Sequence, residues 1–387
     1  MRYLDSIFGG LLKPLDRRAF RASVERHKAD AYCKSFASWN HLLALLYAQL
    51  SGLGSLRGLV AGWNANAHHH YHLGSGPLAR ATLADANGRR PVAVFAELFE
   101  ALSAQLDRHS RRDGAALLRL IDATPIPLGS LCQGAAWNGR IRGMKMHLLY
   151  DPHADRPCRF EITPANVNDI TFGRATAIEP GATYVYDKAY CHYGWWAEIA
   201  AAGAFFVTRP KSNARWRSLA TRPLDTDQGD GFQVLDDREV ALASKGDSKL
   251  PVGLRLITVQ RDDAKPITLL TNDMRRAAIE IGALYKARWQ IELLFRWIKQ
   301  HLKIKAFLGR SDNAIRLQIT TAMIAFTLLR IAARLHRVTL PPLRLAQLVG
   351  ACLFTRKPFA KIDKPPPVNP SKPRPKSSPL QAQFQYV

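Results

Sequence analysis

The stretch from Met274 to Lys303 reads MRRAAIEIGALYKARWQIELLFRWIKQHLK. At about 100° per residue, a helix here brings Tyr285, Arg288, Glu292, Arg296 and Lys299 into one arc of about 80°, while Leu284, Ile291, Phe295, Ile298 and Leu302 share another. One carboxylate therefore stands among cations, with Trp289 beside it on the same side. A solvated salt-bridge face would intersperse Glu and Lys freely. A single Glu flanked by Arg, Tyr and Lys is the pattern of a metal-holding carboxylate beside phosphate-binding cations. A basic helix with an ordinary intrahelical Glu–Arg pair would use the same residues, so the rest of the chain has to decide.

Composition narrows the choice. The chain has 387 residues, 47% hydrophobic and 22% charged, enough for two or three domains with their own cores. Its formal charge of +24 exceeds what solubility needs and is spread along the length, which points to a polyanionic partner. Cys33, Cys132, Cys158, Cys191 and Cys352 are odd in number and form no CxxC, which argues against a disulfide framework or a zinc knuckle and for a reducing compartment. MRYLDSIFGGLL lacks a small-residue cleavage site after it. The most apolar run, ITTAMIAFTLLRIAA from Ile319, contains Arg330 and reads as a buried helix. The expectation is a soluble, cytoplasmic protein.

Residues 1–110 read as a helical leader domain, with helices at Arg17–Ala29, Trp39–Ser51, Ser55–Asn64, Leu78–Asn87 and Ala93–His109. Short helices carrying Arg17, Arg18, Arg21, Arg57, Arg80, Arg89 and Arg90 suit a helix-turn-helix-like DNA reader. His68, His69, His70 and His72 cluster on what reads as a linker, where consecutive side chains diverge, so metal binding is not expected there.

From Ala115 the periodicity changes to strands. LLRLIDATPIPL places Asp122 at the end of an apolar run, where a carboxylate is costly unless paired or metal-bound. Met144–Asp151 and Cys158–Pro164 complete a three-strand meander, a helix capped near Asn168 and Asp169 follows, and a short strand ends at Asp187 before a helix from about Gly194. Two carboxylates at adjacent strand ends and a third on a later helix suit divalent ions holding the attacking and leaving oxygens of a phosphodiester, with hard oxygen ligands favouring Mg²⁺ or Mn²⁺. This order of elements is that of the ribonuclease H-like fold, an α/β class in which the first and fourth strands lie side by side.

Tyr285, Arg288, Glu292 and Lys299 stand as Tyr-x-x-Arg-x-x-x-Glu-x-x-x-x-x-x-Lys. This resembles the signature of one branch of bacterial insertion-sequence transposases of the DDE type. Asp122-Ala-Thr and Asp187-Lys-Ala-Tyr look like that family's motifs around its first and second catalytic aspartates, although many relatives carry Gly in the third place of the latter. The resemblance covers roughly Leu117 to Leu329, and ATLADANGRRP near Ala81 looks like the family's leader. It implies that Asp122, Asp187 and Glu292 are catalytic and hold about two Mg²⁺ ions, Mn²⁺ being a substitute. It also implies that Tyr285, Arg288 and Lys299 contact phosphates of double-stranded DNA at the element ends, and that two chains act as a homodimer in a synaptic complex near the nucleoid. Trp289 is a candidate for stacking on an unpaired base, a buried structural Trp being the alternative. Arg296 shares the basic arc. Lys145 and His147 resemble a basic pair often found on the second strand, with ordinary strand-surface residues as the alternative.

The core, 115–210 and 267–310, is expected to be interrupted by a mostly β insertion at 211–266, which the resemblance links to a DNA hairpin intermediate. Arg209 and Lys211, just after the strand AFFVT, are placed for phosphate contact. Residues 311–355 read as C-terminal helices and 356–387 as a basic, Pro-rich disordered tail. The function expected is cut-and-paste transposition by metal-dependent strand cleavage and strand transfer. The rivals are a nuclease of the same fold without strand transfer and a catalytically silent DNA-binding regulator.

Overall fold

The computed structural model describes residues 5–110, 117–132, 134–224, 232–243, 253–261, 264–301 and 307–364. Leu302 and residues 365–387 lie outside these residues; of the tail expected to be disordered from 356, residues 356–364 are packed on the molecule, with Arg356 bridged to Ser6 and Phe359 and Ile362 buried.

The first third is helical: α1 (Ile7–Leu11), α2 (Arg17–Arg26), α3 (Ser38–Ser51), α4 (Leu56–Ala65), α5 (His70–Leu73), α6 (Arg80–Arg89) and α7 (Val92–Ser110). Local chemistry starts and stops these helices. Asp16 accepts the N–H groups of Arg18 and Ala19 to cap α2, and Ser55 accepts that of Gly58 to cap α4. Gly52, at a φ of 68° that side chains with a Cβ resist, ends α3, and α4 leaves at 100° to it. The His cluster is no linker. His70 is buried, stacked on Trp63 at 4.5 Å, and His69 stacks on Phe354 at 4.8 Å.

The sheet follows: β1 (Leu118–Pro127), β2 (Ala136–Trp137), β3 (Arg142–Asp151), β4 (Arg156–Pro164), then α8 (Asp169–Arg174), β5 (Thr183–Tyr186), α9 (Tyr193–Ala201), β6 (Phe205–Thr208), β7 (Trp216–Thr221), β8 (Phe232–Leu242), β9 (Leu254–Arg261) and β10 (Ile267–Thr271). Its order is β4-β3-β1-β5-β6-β10-β9-β8-β7, with β2 beside β3. β1, β3 and β4 form the antiparallel meander, while β1–β5 and β5–β6 are parallel. The segment expected as an insertion extends the same sheet, because β10 pairs antiparallel with both β6 and β9.

Two expectations need correcting here. β1 does not end at Asp122 but runs on to Pro127 against β3. Its pairing with β5 stops at Ile121↔Tyr186, so beyond that point one edge of β1 is open and Pro125 and Pro127 are tolerated. Phe232–Leu242, expected from GFQVLDD and REVALAS to be two strands, form the single strand β8, whose register shifts between Val234 and Asp236.

Strand alternation sorts the sheet's side chains onto two faces. Leu118, Leu120, Leu148, Val185, Val207 and Leu269 join one core with α10 (Ala278–Ala287), α11 (Trp289–His301), α12 (Asp312–Leu335), α13 (Pro342–Ala351) and the leader helices. Ile121, Leu149, Tyr184, Tyr186, Phe206 and Leu270 join a second core with α8 and α9, dominated by Trp195 and Trp196. Helix α12, capped by Ser311, is long and apolar enough to cross a membrane. However, 83% of its most apolar 18-residue window is buried, against α3, α6, α7, α13 and β4. The cysteines are all free.

Candidate functional site

Asp122 follows Leu120 and Asp187 follows Val185 with the two-residue period of a strand, so both carboxylates leave the sheet on the face covered by α10 and α11. Because Ile121 pairs with Tyr186, the two aspartates are the next residues along neighbouring parallel strands. Asp187 lies just past β5 and accepts the N–H of Ala189, capping a single helical turn. Asp122 accepts its neighbour Ala123's N–H at 2.8 Å.

The third carboxylate comes from the opening stretch, which is not one helix. It divides at Arg288 into α10 and α11, and the division is tight: Arg288 N–H donates to Tyr285 O at 3.1 Å and Ile291 N–H to Arg288 O at 3.2 Å. No Gly or Pro marks this break in the sequence. Across it, the Arg288 guanidinium donates to Glu292 Oε1 at 2.6 Å and to Asp122 Oδ2 at 3.4 Å. The intrahelical Glu–Arg pair and the gathering of acids therefore coexist, joined by one side chain.

Burial pushes the Asp122 carboxyl up to about 6. The negative charges of Asp187 and Glu292 push the same way, while Ala123 N–H and Arg288 pull down. Burial lowers Lys299, with the charge of Asp122 acting in opposition. The Tyr285 phenol is raised by burial and influenced by Arg288, Arg209 and Asp187, which places those groups in one neighbourhood. Arg209 is exposed and lies beside Asp187, since Val185 pairs with Val207. Lys211 is exposed a little further on. Trp289 is 53% exposed, not a buried structural residue, and the exposed Arg296 lies over its ring at 6.0 Å.

Lys145 and His147 are not with this group. They point to the opposite sheet face, where Lys145 is held by Asp169 at 2.6 Å and Val167 O at 2.9 Å. His147 is fully buried, stacked on Phe172 and bonded through Nε2 to Thr163. The reading of His147 as a DNA contact is corrected by its depth, and that of Lys145 by its committed partners.

Sequence reasoning missed a cavity of about 690 Å³ between β9–β10 and the helix break. Val259, Ile267 and Leu269 from the strands and Tyr285, Trp289 and Gln290 from the helices are among the residues that line it. The alternation of apolar residues in β9 and β10 signals an inward face, but not that this face meets the helix break.

Among the described residues, no three His, Cys, Asp or Glu side chains already stand close enough to hold a metal ion. The donor set nevertheless fits a hard divalent cation. It consists of carboxylate oxygens from three elements, two of them already sharing one cationic group.

Residues 113–328 match the family described as the transposase DDE domain, and residues 4–75 one described as a domain of unknown function. The y4zB protein of Sinorhizobium fredii, named as a transposase, is 64% identical over 305 residues, 79% of this chain and 86% of that protein. The chain belongs to the transposase DDE-domain family. Its function is that of a transposase, an enzyme that cleaves and transfers DNA strands, and the family works with divalent metal ions. A Geobacillus stearothermophilus protein named as a transposase for insertion sequence element IS5377 is 25% identical over 62% of this chain and 63% of its own length. A cryo-EM structure of the piggyBac transposase synaptic complex with hairpin DNA aligns over 95% of this chain and 84% of that one, with a TM-score of 0.47 and 10% identity.

Proposed function

We propose that this transposase moves a bacterial insertion sequence by cut-and-paste chemistry, with Asp122, Asp187 and Glu292 as its catalytic carboxylates. The observation that carries this reading is that acids from β1, the end of β5 and α11 lie on one side of the sheet, two of them, Asp122 and Glu292, bridged by Arg288. The strand order β4-β3-β1-β5-β6 supports a ribonuclease H-like core. The four motif residues, Tyr285, Arg288, Glu292 and Lys299, support the Tyr-Arg-Glu-Lys branch.

The three carboxylates would hold two Mg²⁺ ions, or Mn²⁺ in their place. Held there, such ions would supply the Lewis acidity that makes a water nucleophilic and the charge that offsets the departing oxygen. Tyr285, Arg288, Lys299 and Arg296 would grip phosphates around the scissile bond, and Arg209 and Lys211 would continue that grip beyond β6. Exposed Trp289 would stack on a base freed from pairing. Such a reaction needs no nucleophile from the protein, only positioning and charge. The bend between α3 and α4 supports a helix-turn-helix-like use of the leader on double-stranded DNA. Synapsis of two element ends would call for a homodimer, and the setting would be the bacterial cytoplasm at the nucleoid.

The test is Mg²⁺-dependent cleavage of DNA carrying the native element ends, comparing the parent with Asp122→Asn, Asp187→Asn and Glu292→Gln at matched DNA occupancy. Each variant is expected to lose on the order of 10³-fold or more in cleavage while still binding DNA. Any one of them cutting as fast as the parent would overturn the assignment. Joined products in the same reaction distinguish strand transfer from simple nuclease action.

A further inference from the structure

Arg288 occupies an unusual position for a residue whose proposed partner is DNA. Its guanidinium fills the ground between Asp122 and Glu292, at 3.4 and 2.6 Å. Its rest position is incompletely satisfied, because Nε is buried with no hydrogen-bond partner. It also sits where α10 gives way to α11, and the backbone bonds on either side of it close over three residues, not four. Such tightened turns inside a helix are common at hinges.

We infer that Arg288 is an exchangeable internal counter-ion. In the free protein it neutralises Asp122 and Glu292; a divalent ion arriving on those carboxylates releases it to take a DNA phosphate. The inference rests on the three-carboxylate site proposed above and deepens it. A guanidinium and a hard dication compete for the same carboxylate lone pairs, and the planar fork that fits a carboxylate fits a phosphate equally well. The contact between Arg288 and the acids has to be broken once, either by metal or by DNA. Whichever binds first removes that cost for the other. Metal and DNA therefore strengthen one another by the same factor, as linkage requires. Tyr285, whose ring lies 5.7 Å from the guanidinium, offers a flat surface along which the side chain can swing without losing contact. The protein so built holds its metal weakly until an element end is in place.

The experiment measures two affinities on the full chain. Fluorescence anisotropy follows a labelled duplex carrying an element end, with and without Ca²⁺ as the oxygen-seeking cation, the duplex being checked for integrity on a gel. Calorimetry follows Ca²⁺ binding to the DNA-free protein. In the parent, Ca²⁺ is expected to tighten DNA binding about tenfold or more. In Arg288→Gln the enhancement is expected to fall below about threefold, and Ca²⁺ to bind the DNA-free variant at least about threefold more tightly than it binds the parent. Glu292→Gln, which frees one side of the guanidinium, is expected to bind metal-free DNA more tightly than the parent, and gives an independent reading if Arg288→Gln folds poorly. Parental enhancement retained in Arg288→Gln, or no gain in its Ca²⁺ affinity, overturns the counter-ion role while leaving the carboxylate site intact. No Ca²⁺ effect on DNA binding by the parent, together with no Ca²⁺ binding to DNA-free Arg288→Gln, overturns the site, and the exchange with it.

Discussion

Arg255 and Asp237 join β9 to β8 with only 2% and 3% of their side chains exposed, through contacts of 2.6 and 2.7 Å. Removing one partner of such a pair strands the other in a medium that cannot solvate it. Asp237→Ala is expected to cost about 3–5 kcal/mol in denaturant unfolding, whereas Asp237→Leu combined with Arg255→Met should recover only part of that loss, because Asp273 O and Arg276 O lose the Arg255 donor. His41 sets a pH limit on the leader. It is fully buried and bonded to Asn87 at 2.7 Å; burial, assisted by the charge of Arg90, lowers it to about 3. The unfolded chain takes up a proton there below its ordinary value of 6.5, and the folded chain refuses it until about 3. Stability is thus whole above pH 6.5 and falls as the pH drops toward 3, by up to about 1.4 kcal/mol per unit from this residue. Urea midpoints between pH 7 and 4 should fall less steeply in His41→Gln than in the parent, with His147, lowered to about 4 by burial, among the groups that contribute to the remaining slope. At this scale, the placing of Asp122, Asp187 and Glu292 on one side of the sheet was legible, because strand alternation and a helical arc assign a side chain to a face. Lys145 and His147 were not, because alternation does not say which face of a two-sided sheet carries the site, nor that α8 covers the other.

Among the elements, α12 begins with Ser311 accepting the N–H of Ala314. Ser311→Ala is expected to cost about 1 kcal/mol, read as a lowered thermal midpoint, because only that orphan donor is lost. Gly143 occupies a tighter place, where β3 pairs with the end of β1 at Pro127. A Cβ there would stand 2.1 Å from Ile126 O, so Gly143→Ala has to part the two strands and is expected to cost about 1–3 kcal/mol in the same measurement. Most helices were readable from their caps and spacing. The division at Arg288 was not, since it is made by hydrogen-bond geometry in a run of good helix formers. Nor was the continuity of β8, since a bulge and a strand end look alike in sequence. β1 appeared to stop at Asp122 because its prolines read as a turn; an open strand edge accommodates them.

For the whole molecule, the charge of +24 predicts a steep salt dependence of DNA binding. The logarithm of the affinity should fall linearly with the logarithm of salt concentration, with a slope of about −0.9 for each phosphate neutralised. Arg209→Gln and Lys211→Gln together should make that slope shallower by about two in a filter-binding titration, with no change in base preference. The overall order, helices followed by an interleaved sheet, was visible in the change of periodicity near Ala115. That the strands of the expected insertion would lie in the same sheet as the meander was not, because pairing between β6 and β10 joins residues far apart in the chain.

The burial of α12 against α3, α6 and α7 has a consequence during synthesis. The leader helices leave the ribosome first, yet the surface that covers their apolar sides is encoded after the whole sheet. At 5–20 residues per second, the stretch from Ser110 to Leu335 takes roughly 10–45 s to emerge. For that interval, α3 and α7 lack the helix they pack against. A nascent chain halted before Asp312 should therefore be bound by holding chaperones and cut readily by protease, and should gain resistance abruptly once Leu335 is clear of the exit tunnel.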